Sequence, residues 1–165
     1  MSTTIAPTPE NTAPTAEPGL NGYVTFRLSR LQAALNAQAA QLLASGAGLT
    51  LTQWRILALI DDGGETTHGA LMRSGAFDKG LLSRTLAGMI EHGLLSESRD
   101  DSDQRRQILR LTPLGLERRA RAAPLMQARR ARLLRDFTPE ETDALMHALD
   151  KLMDAALEPI GDPVP

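Results

Sequence analysis

A mainly α-helical chain carrying one small β-hairpin is the fold class this sequence predicts. Three observations carry that expectation. Ala and Leu dominate an apolar content of 42%, while aromatic residues make up only 3%, a composition suited to helices packed on helices. Helix-start residues (Thr50, Thr67, Asp78, Thr112-Pro113, Thr138-Pro139) alternate with glycine-containing stops along the chain. One stretch, "LLSESRDDSDQRRQILRLT", sets two short strand-like runs around a tip crowded with opposed charges.

The elements follow in order. Residues 1–19 are rich in Thr, Pro and Ala with little to bury, and read as a disordered tail. A helix is expected from Leu20 to about Ala44, on apolar residues at mixed three- and four-residue spacings, with "SGAG" (45–48) stopping it. Thr50 and Gln53 form a capping box for the next helix, which Gly63-Gly64 ends. A short helix over about 67–74, capped by Thr66 or Thr67, leads through Gly75-Ala76 into a helix from Asp78 to Gly93. Two such helices joined by a tight turn make a helix-turn-helix candidate. The hairpin comes next, then a helix from Thr112-Pro113 to about Arg135. Pro124 lies inside that helix and should bend it. "TPEE" (138–141) starts the last helix, to about Leu157.

Composition narrows the function. The chain has 165 residues, enough for one domain with a real core. It has no cysteine, so disulfides, thiolate metal sites and thiol redox chemistry are excluded within it. No apolar run approaches the roughly 18 residues of a membrane span, and the start does not read as a secretory signal, so a cytoplasmic location is expected. The formal net charge of −2 is uninformative; the distribution of charge matters more. No nucleophile–base pair, phosphate loop or paired carboxylate motif is visible, so no catalytic residue, cofactor or metal is expected. Asp143 and His147 stand at i, i+4 and read as a solvated pair; His68 reads as a cap or surface residue.

At 100° per residue, Leu82, Leu86 and Met89 share one side of the 78–92 helix, with Ile90 at its edge. That side is expected to pack on Leu71, Ile56 and Leu57. Gly80, Ser83, Arg84, Ala87 and Gly88 fall broadly opposite, with Lys79 at the edge. A small, polar, basic face suits a helix that must approach a major groove; a plain solvated face is the alternative. The hairpin tip favours the first reading. Arg99, Arg105, Arg106 and Arg110 are available to phosphates or to a minor groove, and Asp100, Asp101 and Asp103 are expected to hold arginines in place. Arg118, Arg119, Arg121, Arg129, Arg130 and Arg132 make the following helix basic, either as a solvated face or as support for acidic groups of a partner chain.

"LTLTQWRILALI", "DKGLLSRTLAGMIEHGLL" and "DSDQRRQILRLTPLG", in that order and spacing, resemble the MarR family of winged helix-turn-helix regulators over about residues 20–157. Asp103, Arg105, Leu111, Thr112 and Gly115 match the family's wing signature, and Asp78, Lys79, Ser83 and Arg84 its recognition-helix pattern. A hydroxyl residue often follows the family's Asp-Lys; here it is Gly80.

The resemblance implies a winged helix-turn-helix with a helical dimerisation region. Residues 20–46 and 113–158 would dimerise, residues 50–112 would bind DNA, and 159–165 would be a tail. It implies a homodimer on a pseudo-palindromic double-stranded operator, usually repression, and release by a small, often aromatic or anionic, effector. Asp78, Lys79, Gly80, Ser83, Arg84, Arg99, Asp103, Arg105 and Arg106 are the expected DNA-binding set. Leu145, Leu149, Leu152 and Met153 are expected at the dimer interface. By the same analogy Tyr23, Phe26, Arg30 and Trp54 lie near an effector cavity, with core packing the alternative for Trp54. The competing readings are a ligand-independent activator or architectural protein, and a protein-interaction module that has lost DNA binding.

Overall fold

Local capping chemistry fixes where most helices begin. In the computed structural model, which describes residues 19–61, 64–74, 77–100 and 107–159, Thr50, Thr67, Asp78, Thr112 and Thr138 each cap a helix. The chain divides into two compact units at Gln38 and Ala39. The N-terminal unit holds a 3-10 turn, Leu20–Gly22, and the first part of α1 (Val24–Ala47). Leu20, Tyr23, Val24 and Leu31 are exposed there.

In the second unit α1 runs three residues past the expected stop. The Ser45 hydroxyl donates to the carbonyls of Gln41 (2.9 Å) and Leu42 (3.3 Å), which lets a serine continue the helix. The break falls at Gly48, whose φ of +63° is open to glycine at no steric cost. Thr50 then caps α2 (Leu51–Asp61) in a reciprocal box. The Thr50 amide donates to Gln53 Oε1 (2.8 Å) and the Gln53 amide to Thr50 Oγ1 (3.2 Å).

A short strand not expected from the sequence, β1 (Glu65–Thr67), precedes α3 (His68–Arg73). Thr67, one of the two expected caps, accepts from the Ala70 amide. α4 (Lys79–Glu91) follows, capped by Asp78. It ends in a Schellman turn: Leu94 N–H donates to the Met89 carbonyl (2.8 Å), Gly93 N–H to that of Ile90 (3.0 Å), and Gly93 takes φ +69°. β2 (Leu95–Arg99) and β3 (Gln107–Leu111) pair antiparallel as the expected hairpin, with Leu95 opposite Leu111 and Arg99 opposite Gln107. β1 adds to the other side of β3, also antiparallel, so the sheet order is β1-β3-β2.

α5 (Pro113–Leu134) continues unbroken through Pro124. α6 (Pro139–Leu157) opens with the Thr138–Glu141 capping box. Hydrogen bonds from the backbone and from Thr138 hold the exposed Glu140 carboxyl below its ordinary range.

The core gathers Leu43, Leu49, Ile56, Leu57, Ile60, Leu71, Leu82, Met89, Leu95 and Leu109 from α1–α4 and the sheet, together with Ala122 of α5. α5 is tied to it at two places. The Thr112 hydroxyl donates to the Gly93 carbonyl (2.5 Å) while accepting from the Gly115 amide (3.0 Å), and the Thr112 amide donates to the Leu94 carbonyl (3.2 Å). Two turns on, Arg118 donates to the Ala47 carbonyl (3.0 Å) and Arg121 to that of Gly46 (3.4 Å). These two arginines cap the C-terminal carbonyls of α1, where a cation is favoured.

Candidate nucleic-acid interface

α4 is held rigidly at both ends and along its inner face. Asp78 Oδ1 accepts from the Leu81 amide (2.9 Å), so its carboxylate starts the helix; this role would be lost if it pointed outward. The Schellman turn and the Nδ1–H of His92, which donates to the Gly88 carbonyl (2.6 Å), close the other end. Leu82, Leu86 and Met89 are buried and Ile90 is half-buried, in one cluster with Leu71, Ile56 and Leu57 as expected. The opposite face is open: Lys79, Gly80, Arg84 and Ala87 are exposed, and Gly88 is half-exposed.

Arg84, two residues from both Leu82 and Leu86, stands at the centre of the open face. Ser83 is exposed but sits at the border, and its hydroxyl lies 3.1 Å from Nε2 of His68, the first residue of α3. His68 is therefore a cross-helix partner and not a cap. Neither glycine on α4 is demanded by packing among the described residues. A Cβ at Gly80 would meet only Asp78 Oδ1, at 3.4 Å, and at Gly88 it would meet nothing within 4 Å. Glycine inside a helix costs about 0.5–1 kcal/mol relative to Ala, so a bare face here is bought at some loss of helix stability.

The hairpin carries Arg99 exposed at the end of β2. Asp103, Arg105 and Arg106, with Asp101, lie outside the described residues. Arg110 is not available in the way the sequence suggested. Its guanidinium spans the sheet from β3, donating to Glu65 on β1 and to Ser98 on β2 (2.7 Å). It clamps the three strands and stiffens the base of the wing.

The remaining expected residues separate by unit. Tyr23 is exposed, Phe26 half-buried and Arg30 exposed in the N-terminal unit. The Arg30 guanidinium stands 5.9 Å from the Phe26 ring centroid, and its Nη1 lies 3.5 Å from Asn21 Oδ1. Trp54, in the second unit, is half-buried and packed against the core. Leu145, Leu149, Leu152 and Met153 are all exposed on α6, which has no buried residue along its length. Among the described residues no group of three or more His, Asp or Glu side chains could hold a metal ion, and no helix is long and apolar enough to cross a membrane.

A helix-turn-helix (α3 and α4) followed by a clamped β-hairpin defines a winged helix-turn-helix domain. Comparisons agree. Residues 47–106 match the MarR family model. No curated protein matches the chain significantly. A MarR family transcriptional regulator from Silicibacter pomeroyi is 26% identical, with 88% of this chain and 98% of that one covered and a TM-score of 0.71. A mutant MarR from E. coli, solved with operator DNA, is 24% identical over 76% of this chain and 93% of that one, with a TM-score of 0.64. BpsR of Bordetella bronchiseptica, whose DNA binding is regulated by 6-hydroxynicotinic acid, is 22% identical over 81% of this chain and 95% of that one, with a TM-score of 0.73. Residues 47–106 thus match the MarR family model, and the fold of the chain is that of the winged helix-turn-helix regulators of that family, which its motifs resemble.

Proposed function

We propose that the chain is a dimeric transcriptional regulator that binds a pseudo-palindromic duplex through α4 and the wing, and represses until a small aromatic or anionic ligand releases it. The observation that carries the DNA reading is the open face of α4. It combines the exposed bases Lys79 and Arg84 with two glycines that no contact among the described residues requires. A shallow basic face on a rigid helix fits a major groove better than it fits plain solvent. The operator complex of the E. coli MarR, which shares the fold, supports the same reading.

Three variants titrated with salt on a duplex selected from a random-sequence library, and on unrelated duplexes beside it, test it. Arg84→Ala is expected to lose about 1–3 kcal/mol of binding to the selected duplex if Arg84 meets a base edge, and to lose equally on all sequences if it meets only phosphate. Unchanged binding removes Arg84 from the site. Arg106→Ala is expected to weaken binding and to reduce the log–log salt slope by about one, with thermal stability nearly unchanged. Asp103→Ala is also expected to weaken binding, although it removes a negative charge, on the sequence reading in which its carboxylate pairs with wing arginines. Tighter binding by Asp103→Ala would contradict that role.

Release by a ligand is supported by the regulated relative from Bordetella bronchiseptica. The chain has one tryptophan, Trp54, so its fluorescence reports locally. Titration with 6-hydroxynicotinic acid and related aromatic carboxylates is expected to change that fluorescence saturably and to free the duplex over the same concentration range. A fluorescence response without DNA release would favour a ligand-independent regulator.

A further inference from the structure

Serine is the least committed of the base-reading side chains. Its hydroxyl carries one proton and two lone pairs, so it can serve donor or acceptor positions on a base edge alike. Within a helix its hydroxyl ordinarily turns back to the carbonyl four residues earlier and offers little outward. Ser83 is placed differently. Its Oγ lies 3.1 Å from His68 Nε2, across the junction of α3 and α4. Both side chains line one cleft of about 230 Å³ between the recognition helix and the sheet, with Glu97 of β2, Gln107 of β3 and a floor of Leu86 and Leu109.

Building on the proposed DNA reading, we propose that His68 is a positioning residue that sets the specificity of Ser83. A hydrogen bond uses up one side of the hydroxyl. If Nε2 carries a lone pair, Ser83 gives its only proton to His68 and presents lone pairs alone, which match the amino groups of adenine or cytosine. If Nε2 carries the proton, His68 donates, and the serine proton is left for the acceptors of guanine or thymine. With Nε2 as acceptor the imidazole removes the ambiguity of the hydroxyl; with Nε2 as donor it takes one of the two lone pairs and fixes the direction in which the serine proton and the remaining lone pair are offered. The buried inner face of α4 and the Thr67 cap of α3 fix the two backbones from which the pair reaches.

The test is a double-mutant cycle on whole protein with selected duplex DNA. Wild type, Ser83→Ala, His68→Phe and the double variant are each assayed on the duplex that wild type selects from a random-sequence library, and on duplexes changed one base pair at a time. Ser83→Ala is expected to relax the preference at one base pair. His68→Phe is expected to relax the same base pair roughly three- to tenfold, the worth of one hydrogen bond, with the salt slope unchanged. Added to Ser83→Ala, it should change nothing further. His68→Leu repeats the measurement with a smaller side chain should the phenylalanine variant fold poorly.

The inference is overturned if both His68 variants keep wild-type preference at that base pair. It is equally overturned if they relax preference as much in the Ser83→Ala background, or if Ser83→Ala relaxes no position. A wild-type protein that selects no sequence at all overturns the DNA reading itself, and the inference with it, which separates the two failures.

Discussion

Deletion of residues 138–165 should leave a chain that aggregates or fails to fold. α6 has no buried residue over its 19 positions, yet Leu145, Leu149, Leu152 and Met153 recur on it at helical spacing, with Met153 60% exposed. An isolated helix of this length is marginal in water, so an apolar stripe that stays exposed among the described residues is expected to find its partner in another chain. α5, in the same unit, adds exposed Leu133. Obligate dimer interfaces often bury roughly 2,000 Å² or more, and the intact chain is expected to reach that only as a pair. In the proposed dimer, removing α6 would take away one side of the interface and uncover the rest. Light scattering and circular dichroism of the truncated protein are the check. A soluble, well-folded monomer would count against the dimer.

Gly115→Ala is expected to destabilise the protein by about 1–3 kcal/mol, the usual cost of forcing extra volume into a packed site. Gly115 is buried in the first turn of α5, and a Cβ there would overlap the backbone carbonyl oxygen of Leu94. Neither party is the flexible end of a side chain, so one backbone must move. Leu94 donates one of the bonds of the turn that closes α4, and Thr112 bonds to both Gly93 and Leu94. The displacement therefore reaches the recognition helix as well as the core. The thermal midpoint should fall by several degrees, at roughly 2–4 °C per kcal/mol for a chain of this size, and duplex affinity should fall with it. Gly88→Ala, with open space around its Cβ, should leave the midpoint unchanged or raise it. A wild-type midpoint for Gly115→Ala would show that the contact with Leu94 is relieved at no cost.

What the sequence made legible was local. The capping pairs Thr50–Gln53 and Thr138–Glu141 are three residues apart, and both form as their spacing implied. The inner face of α4 was legible because a helix repeats its own geometry. What stayed hidden depends on distance along the chain. β1 is only three residues, "ETT", too short for alternation to show, and it exists because β3 has a second edge to pair. Arg110 reads like any other wing arginine until the fold brings Glu65, 45 residues away, to its guanidinium. Arg118 and Arg121 looked like a basic face, yet they meet carbonyls more than 70 residues earlier. The Thr112 and Gly115 signature was legible as a pattern, but its reason, a close approach to the end of α4, is visible only in three dimensions. The His68–Ser83 pair had no sequence signal, because neither residue type demands the other.

The central claim is that α4 and the wing read duplex DNA. Its most direct test is the affinity of the full-length protein for a library-selected duplex and for a scrambled duplex of the same length and composition, measured across a range of salt. The selected duplex should bind at least about 10³-fold more tightly, as specific regulators do, with log K falling linearly in log salt for both. Equal affinity for the two duplexes, or no binding to either at low salt, would contradict the account and favour a winged fold put to protein interaction.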